Sequence, residues 1–298
     1  MKIVGAGLSG LIGKKLTEVL SAKHELVRLK RRVSSGSSTA AGEVFWDPPK
    51  VEGWAGRLDS CVAVINLAGE PIADKRWTPR QKKGLIESRL KATKALVEAM
   101  ALASIKPKVF INASAIGYYG VGGDEALTET AKPGSGFLAD LCVEWERQAR
   151  KAEALGIRTV LLRTGIVLAK EGGALAKTLP PFRFFLGGPL GDGRQVMSWI
   201  HIDDEIAAIM AALENDAMRG PINLTAPNPV TMKEFSNTLG HVLRRPAMLP
   251  VPGPIIKLLL GEMSDLLLTG QRVLPEKLQQ IGFKFKYPTL EPALASLV

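Results

Sequence analysis

Tyrosine, histidine and cysteine are scarce in this chain: three, three and two among 298 residues. The two cysteines, Cys61 and Cys142, sit among apolar neighbours. They exclude a disulfide framework and read as buried thiols in a reducing compartment. His24, His201 and His241 lie too far apart in sequence to give a ligand spacing, so no metal site is expected. No uninterrupted apolar run approaches the ~18 residues of a membrane span. The first residues already read as a strand, not as a charged segment followed by an apolar one. Neither a signal peptide nor a membrane span is expected, and the implied location is cytoplasmic.

Apolar residues make up 46% of the chain, enough for a sizeable core and one or two domains. The formal net charge is +10, with basic residues concentrated in 28–32 and 75–94. No aromatic interleaving or nucleic-acid motif accompanies them. They read as a solvated face, partly used on an anionic small molecule, and no nucleic-acid partner is expected.

The most informative stretch comes first. Lys2-Ile3-Val4 is a short apolar strand that runs into Gly5, Gly7, Gly10 and Gly13, and then into a helical pattern of Leu16, Val19 and Leu20. Strand, glycine turn and helix in that order form the context of a dinucleotide fingerprint. Glycines there allow a tight turn, an approach of bare backbone to a pyrophosphate, and close helix–strand packing. The helix start offers its free N–H groups to phosphate. Two registers fit, G-x-x-G-x-x-G from Gly7 and G-x-G-x-x-G from Gly5. Gly7 to Gly13, with Leu8, Ser9, Leu11 and Ile12 between them, are the expected cofactor contacts. A second strand over 25–29 is followed by Lys30-Arg31-Arg32, with no acid until Glu43. A carboxylate at this point would suit a ribose 2′-OH, whereas a cation suits a 2′-phosphate. NADP(H) is therefore expected over NAD, with Lys30 and Arg31 as its contacts. Residues 34–42 read as a loop.

Further strands are expected at 44–46 and 61–69, where a continuous apolar run ends in Asn66-Leu67-Ala68-Gly69, and at 109–114 and 159–164. Helices are expected at 87–100 and 141–154, the latter with Gly156 just past its end. The alternation predicts an α/β fold with a doubly wound, Rossmann-type parallel sheet. A helix at 203–214, capped by Asp203, and a strand at 222–224 return to the sheet. Helices at 231–243 and 254–268 belong to a smaller lobe.

Several segments together carry a family resemblance: Asn66 to Ile72 with Arg76-Trp77 and Ser88-Arg89, and Ser114-Ala115-Ile116-Gly117-Tyr118-Tyr119-Gly120. Leu179-Pro180-Pro181-Phe182, Gly187 to Gly191 and Ser198-Trp199-Ile200-His201-Ile202-Asp203-Asp204 complete the set. The chain resembles, end to end, the extended and atypical short-chain dehydrogenases/reductases. More narrowly it resembles the epimerase-family proteins labelled nucleoside-diphosphate-sugar epimerases or cell-division-inhibitor homologues. The resemblance implies an NADP(H)-binding Rossmann domain over 1–168, rejoined by 199–228, and an interleaved C-terminal substrate lobe over 169–198 and 229–298. It settles the glycine register as Gly7, Gly10 and Gly13. It adds Leu67, Ala68, Gly69 and Arg89 to the cofactor contacts. A homodimer through the helices flanking the sheet is common in that superfamily.

One departure matters. The superfamily uses Tyr-x-x-x-Lys, the lysine lowering the pKa of the tyrosine. No such pair exists here, and Phe137 and Leu141 stand at the corresponding positions. Ser114, Tyr118 and Tyr119 are the remaining catalytic candidates. Ser114 and Arg163 are further cofactor candidates, and Arg163 could instead anchor to Asp203. Gln195, Trp199 and His201 are candidates for substrate contact. Two readings stay open: an NADP(H)-dependent oxidoreductase or epimerase on a small or nucleotide-linked substrate, or a non-catalytic NADP(H)-sensing regulator that acts on a protein partner.

Overall fold

Apolar runs that end in small or polar residues become the strands of one seven-stranded sheet. The computed structural model describes residues 1–32 and 39–298, so part of the expected 34–42 loop lies outside the described residues. The strands are β1 (Lys2–Ala6), β2 (Glu25–Arg31), β3 (Glu43–Trp46), β4 (Ala63–Asn66), β5 (Val109–Ala115), β6 (Arg158–Thr164) and β7 (Gly220–Leu224). Their order is β7-β6-β5-β4-β1-β2-β3, with every neighbouring pair parallel. The order reverses between β1 and β4, and at such a point a crevice opens beyond the carboxyl ends of the strands. Ala6 and Asn66 lie level with each other at that edge.

Successive strand residues feed two separate cores. Ile3, Ile65 and Ile111 pack on one face, with Leu16, Leu20 and Ile209. Val4, Val64 and Phe110 pack on the other, with Leu96, Met100 and Trp54. A strand buried on both faces cannot alternate apolar with polar, which is why the runs are continuous. Each fully buried aliphatic side chain contributes about 1.5–3 kcal/mol.

The helices of eight residues or more are α1 (Leu11–Ser21), α2 (Pro79–Leu102), α3 (Phe137–Ala149), α4 (Gly173–Arg183), α5 (Ile202–Glu214), α6 (Met232–Leu243) and α7 (Gly253–Leu260). Three differ from the sequence expectation. The helix expected from residue 87 starts at Pro79, because Thr78 caps it by accepting the Gln81 N–H, with proline at the first position. The helix expected over 141–154 starts at Phe137 and tightens after Ala149 into a 3₁₀ turn that Gly156 ends at φ +77°. The 254–268 segment is broken at Gly261, φ +59°, into α7, a 3₁₀ turn and one further helical turn.

Short ladders tie the rest to this body. Ile166–Leu168 runs parallel to Trp199–His201, so the excursion that holds α4 begins and ends at one place. Both thiols are buried, and burial pushes Cys61 up to about 11 and Cys142 up to about 12.

Candidate functional site: a glycine turn, a buried knot and a cleft

At the end of β1 the three glycines sit in three different surroundings. Gly7 sits at φ +77°, and a Cβ on it would collide with the Leu67–Ala68 backbone after β4. Gly13 faces the Leu8 Cα and the Gly7 carbonyl, so only glycine lets α1 pack this close. Gly10 has no such constraint. A Cβ there would find only the Gly7 carbonyl oxygen, at 3.6 Å, and Gly10 is exposed. Gly5 lies within β1, against the Leu8 side chain, and takes no part in the turn. No side chain caps α1, and its first turn holds no acid. Such a helix start presents unpaired N–H groups and a positive dipole end to whatever lies before it.

The basic rim lies at the end of β2. Lys30 reaches Glu43 at 3.4 Å, and Arg28 reaches the same carboxylate at 3.4 Å. The Ala40 N–H, helped by these cations, holds Glu43 below the usual carboxylate range. Arg31 is exposed at the carboxyl end of β2, and Arg32 lies over the Phe45 ring at 4.9 Å.

Beneath the β4 end, Asn66 is fully buried. Its amide donates to Thr93 (3.0 Å) and Asn112 (2.7 Å) and its carbonyl accepts the Ala68 N–H, while Trp145 donates its indole N–H to Thr93. This web fixes the turn that carries Leu67, Ala68 and Gly69. Arg89 on α2 lies beside Gly69, donates to the Leu85 and Glu70 carbonyls, and rests on the Trp145 ring. Burial holds its pKa below the usual value.

At the ends of β5 and β6 the arrangement is the opposite: Ser114, Tyr119, Glu146 and Arg163 all find partners inside the protein. Ser114 donates to Glu146 (2.8 Å), and Arg163 meets both oxygens of that carboxylate (2.8 and 2.9 Å). Arg163 also donates to the Tyr119 hydroxyl (3.0 Å), which in turn donates to Asn223 (2.7 Å). Burial opposes the charge on Arg163, but Glu146 outweighs it and raises the pKa of the guanidinium. Burial pushes the Tyr119 phenol up against the pull of Arg163. The partner of Arg163 is thus Glu146 and not Asp203, which is held by Lys286. Tyr118 stacks its ring on the Arg163 guanidinium at 3.4 Å, and its hydroxyl makes no hydrogen bond among the described residues.

Outside the knot lies a cleft of about 250 Å³ between the sheet body and the C-terminal residues. Trp77, Phe137 and Leu138 form its apolar wall, and Lys82, Glu262 and Asp265 line it as well. Lys82 on α2 pairs with Glu262, which joins the two sides, and its ammonium lies 5.1 Å over the Phe137 ring. A second cavity of about 280 Å³ shares Val121 and Thr269 with the first and includes Arg194 and Gln195. Gln195 donates to the Leu190 and Leu267 carbonyls and leaves its buried Oε1 without a partner.

Trp199 and His201 are deep in the core, each at most 2% exposed. Trp199 donates to the Asn228 carbonyl. His201, and not Asp203, caps α5: its Nδ1 accepts the Asp203 N–H at 3.0 Å, and its Nε2 meets the Ser296 hydroxyl. Burial lowers its pKa, which keeps the ring neutral and able to accept.

Comparison with known proteins agrees with this architecture. Residues 3–224 match the model of the NAD dependent epimerase/dehydratase family, and residues 251–297 match one described only as a domain of unknown function. An epimerase family protein of Mycobacterium bovis is 42% identical over 291 residues, covering 97% of this chain and 95% of its own. The chloroplastic homologue of SDR39U1 from Arabidopsis thaliana is 40% identical over 307 residues, covering 100% of this chain and 87% of its own. The human epimerase family protein SDR39U1, whose crystal structure holds NADPH, is 33% identical with a TM-score of 0.90, over 100% of this chain and 99% of that one. The chain belongs to the NAD-dependent epimerase/dehydratase family.

Within that family, two positions stand out in the structure. Phe137 opens α3 on the cleft wall, packed edge-on against Trp77 at 5.1 Å, and Leu141 is buried one turn later. Neither provides an ionisable group. Sequence reasoning also missed Glu146, the centre of the knot. The signal was there: it falls four residues after Cys142, on the buried face of α3, where a lone acid needs a buried cation. Lys82 and Glu262 carried no such signal, since the cleft joins segments 180 residues apart in sequence.

Proposed function

We propose that this chain binds NADP(H) at the Gly7–Gly13 turn and uses it as an oxidoreductase or epimerase on a small or nucleotide-linked substrate. The observation that carries this reading is Gly10, a glycine whose surroundings in the protein would accept a side chain, placed at an uncapped helix start. Glycine there answers a ligand's need for space. In this reading the N–H groups from Leu8 to Gly13 hold the pyrophosphate, and Lys30 and Arg31 hold the 2′-phosphate. Leu67, Ala68 and Gly69 wall the cofactor, and Arg89 lies within reach of its phosphates. Bound there, the cofactor would supply a hydride.

The substrate would enter the cleft beside Phe137, where Lys82, Glu262 and Asp265 offer the charges, while Gln195 offers an unsatisfied acceptor in the adjoining cavity. Of the three hydroxyl candidates, Ser114 and Tyr119 are committed to the knot, which leaves Tyr118 to move a proton. The division of labour would follow 1–168 with 199–228 for the cofactor, and 169–198 with 229–298 for the substrate.

Fluorescence titration tests the cofactor: NADPH binds well and NADH at least tenfold more weakly. Equal affinities, or an Arg31→Asp chain that keeps the preference, would overturn the assignment of the rim. Transfer of deuterium from labelled NADPH to any member of a carbonyl panel tests the chemistry. The alternative reading, a non-catalytic NADP(H) sensor, draws on Phe137 and Leu141 in place of the acid–base pair. Tight NADPH binding with no deuterium transfer to any candidate, in wild type and Tyr118→Phe alike, would favour it.

A further inference from the structure

The face farthest from satisfying its own side chains lies on the C-terminal lobe. Past the end of α4, Phe184, Phe185 and Leu186 stand exposed in succession, Phe184 at 74%. A second segment runs alongside: the Leu249 N–H donates to the Gly187 carbonyl and the Val251 N–H to that of Pro189. It brings Met248 and Leu249 to the surface, Met248 at 79% exposed. The Arg245 guanidinium lies 4.5 Å over the Phe185 ring, which joins the two segments from above. Directly after them, α7 is inverted relative to an ordinary surface helix. Only Ile256 is buried, while Ile255, Leu258 and Leu259, spaced to share one stripe, face outward. Contiguous exposed apolar surface of this kind marks an interaction site, whereas scattered single residues do not.

Charge identifies the partner. Residues 173–191 and 239–261 contain no aspartate or glutamate at all, yet they hold Lys177, which pairs with Asp74, and Arg183, Arg244, Arg245 and Lys257, which make no ion pair among the described residues. All five are exposed. A second copy of this chain placed face to face would set these cations against their own counterparts, with no acid in either segment to answer them. An anionic lipid surface answers both features together, accepting phenylalanine and leucine into the acyl boundary and basic heads at the phosphates. Long basic stems suit that depth, since they lie along apolar surface while their charges stay in the headgroup layer. None of the described helices is long and apolar enough to cross a membrane, so the contact would be peripheral.

We infer that this lobe docks on anionic phospholipid through the Phe184–Leu186, Met248–Leu249 and α7 surface, reversibly and in the plane of the interface. None of these surface residues belongs to the glycine turn, so docking and NADPH binding can be altered separately.

Flotation of the purified full chain with vesicles tests it. The chain floats with vesicles of phosphatidylcholine and phosphatidylglycerol at low salt, and less as salt rises. It stays behind with phosphatidylcholine alone. Leu258→Ser with Leu259→Ser lowers partition at least tenfold through lost apolar burial. Arg244→Gln with Arg245→Gln lowers it roughly 30-fold, from the effect of two cations at a charged surface. Both doubles change exposed residues only, so NADPH binding and the thermal transition serve as controls and remain as in wild type. Absence of flotation with either vesicle would sink the inference, as would flotation that neither double reduces. A concentration-dependent dimer abolished by Leu258→Ser would make the face a self-interface and overturn it. Binding of polyglutamate, with no vesicle binding, would assign the face to an acidic polypeptide and overturn it equally.

Discussion

Two stretches of the same sheet edge treat their polar groups in opposite ways. At β1, glycines strip the turn of side chains, no residue caps α1, and Gly10 looks onto open space. At β5 and β6, Ser114, Arg163, Tyr119 and Glu146 each find partners inside the protein. A binding site keeps donors waiting for something absent, whereas a structural knot consumes its own. The difference teaches caution about polar residues at a strand end. Position alone offered Ser114 and Tyr119 as catalytic candidates, and their hydrogen bonds give them structural employment.

Breaking the knot should have the largest effect. Arg163→Met leaves the Glu146 carboxylate buried without its cation, and loss of one partner of such a pair costs about 3–5 kcal/mol. The check is the midpoint of urea unfolding, and a shift below 1 kcal/mol would mean that water reaches Glu146.

Next comes a group one residue along β6, on the other side of the sheet. Thr164 donates to Glu205, which is buried with its second oxygen unpartnered, and burial pushes that carboxyl up to about 8 from the usual 4.5. The folded protein therefore binds this proton more tightly than the unfolded chain. Its contribution declines as pH rises from about 4.5 to about 8 and is level beyond. Glu205→Gln should gain on wild type across that window, by on the order of a few kcal/mol. Parallel pH profiles of the two would show that Glu205 does not titrate there.

The cradle is tested by Gly10→Ala. With space for a Cβ in the protein, stability should stay within about 0.5 kcal/mol. NADPH affinity should fall at least tenfold as the methyl group meets the pyrophosphate. Unchanged affinity would erase the contrast between the two regions. Smallest of all, His201→Ala removes a helix cap worth about 1 kcal/mol. Burial depresses this histidine, so its contribution is present at neutral pH and fades as pH falls below 6.5 toward the folded-state value. Equal wild-type and variant stability at pH 7, measured by urea titration, would remove the cap from the account.

The sheet was legible because its evidence is local. A strand buried on both faces leaves an unbroken apolar run, and a glycine turn joins neighbours in sequence. The knot was less so, because Glu146 and Arg163 are chosen for each other across 17 residues and two elements. Residues 75–94 looked simply basic, and concealed the start of α2 behind Thr78. In the structure many of those charges are answered locally, with Lys83 and Lys91 on Glu87 and Lys94 on Glu98. The α5 cap was misassigned because aspartate is the commoner cap, whereas here the buried imidazole reaches the backbone first.

The two thiols give the protein a built-in reporter. Only a thiolate attacks a disulfide reagent, and neither Cys61 nor Cys142 ionises near neutrality or meets solvent while the sheet is closed. Labelling must therefore wait for the fold to open. Cys61 stands just before β4 and Cys142 within α3, so their separate labelling rates would time the parting of the sheet edge and of the helix that covers it.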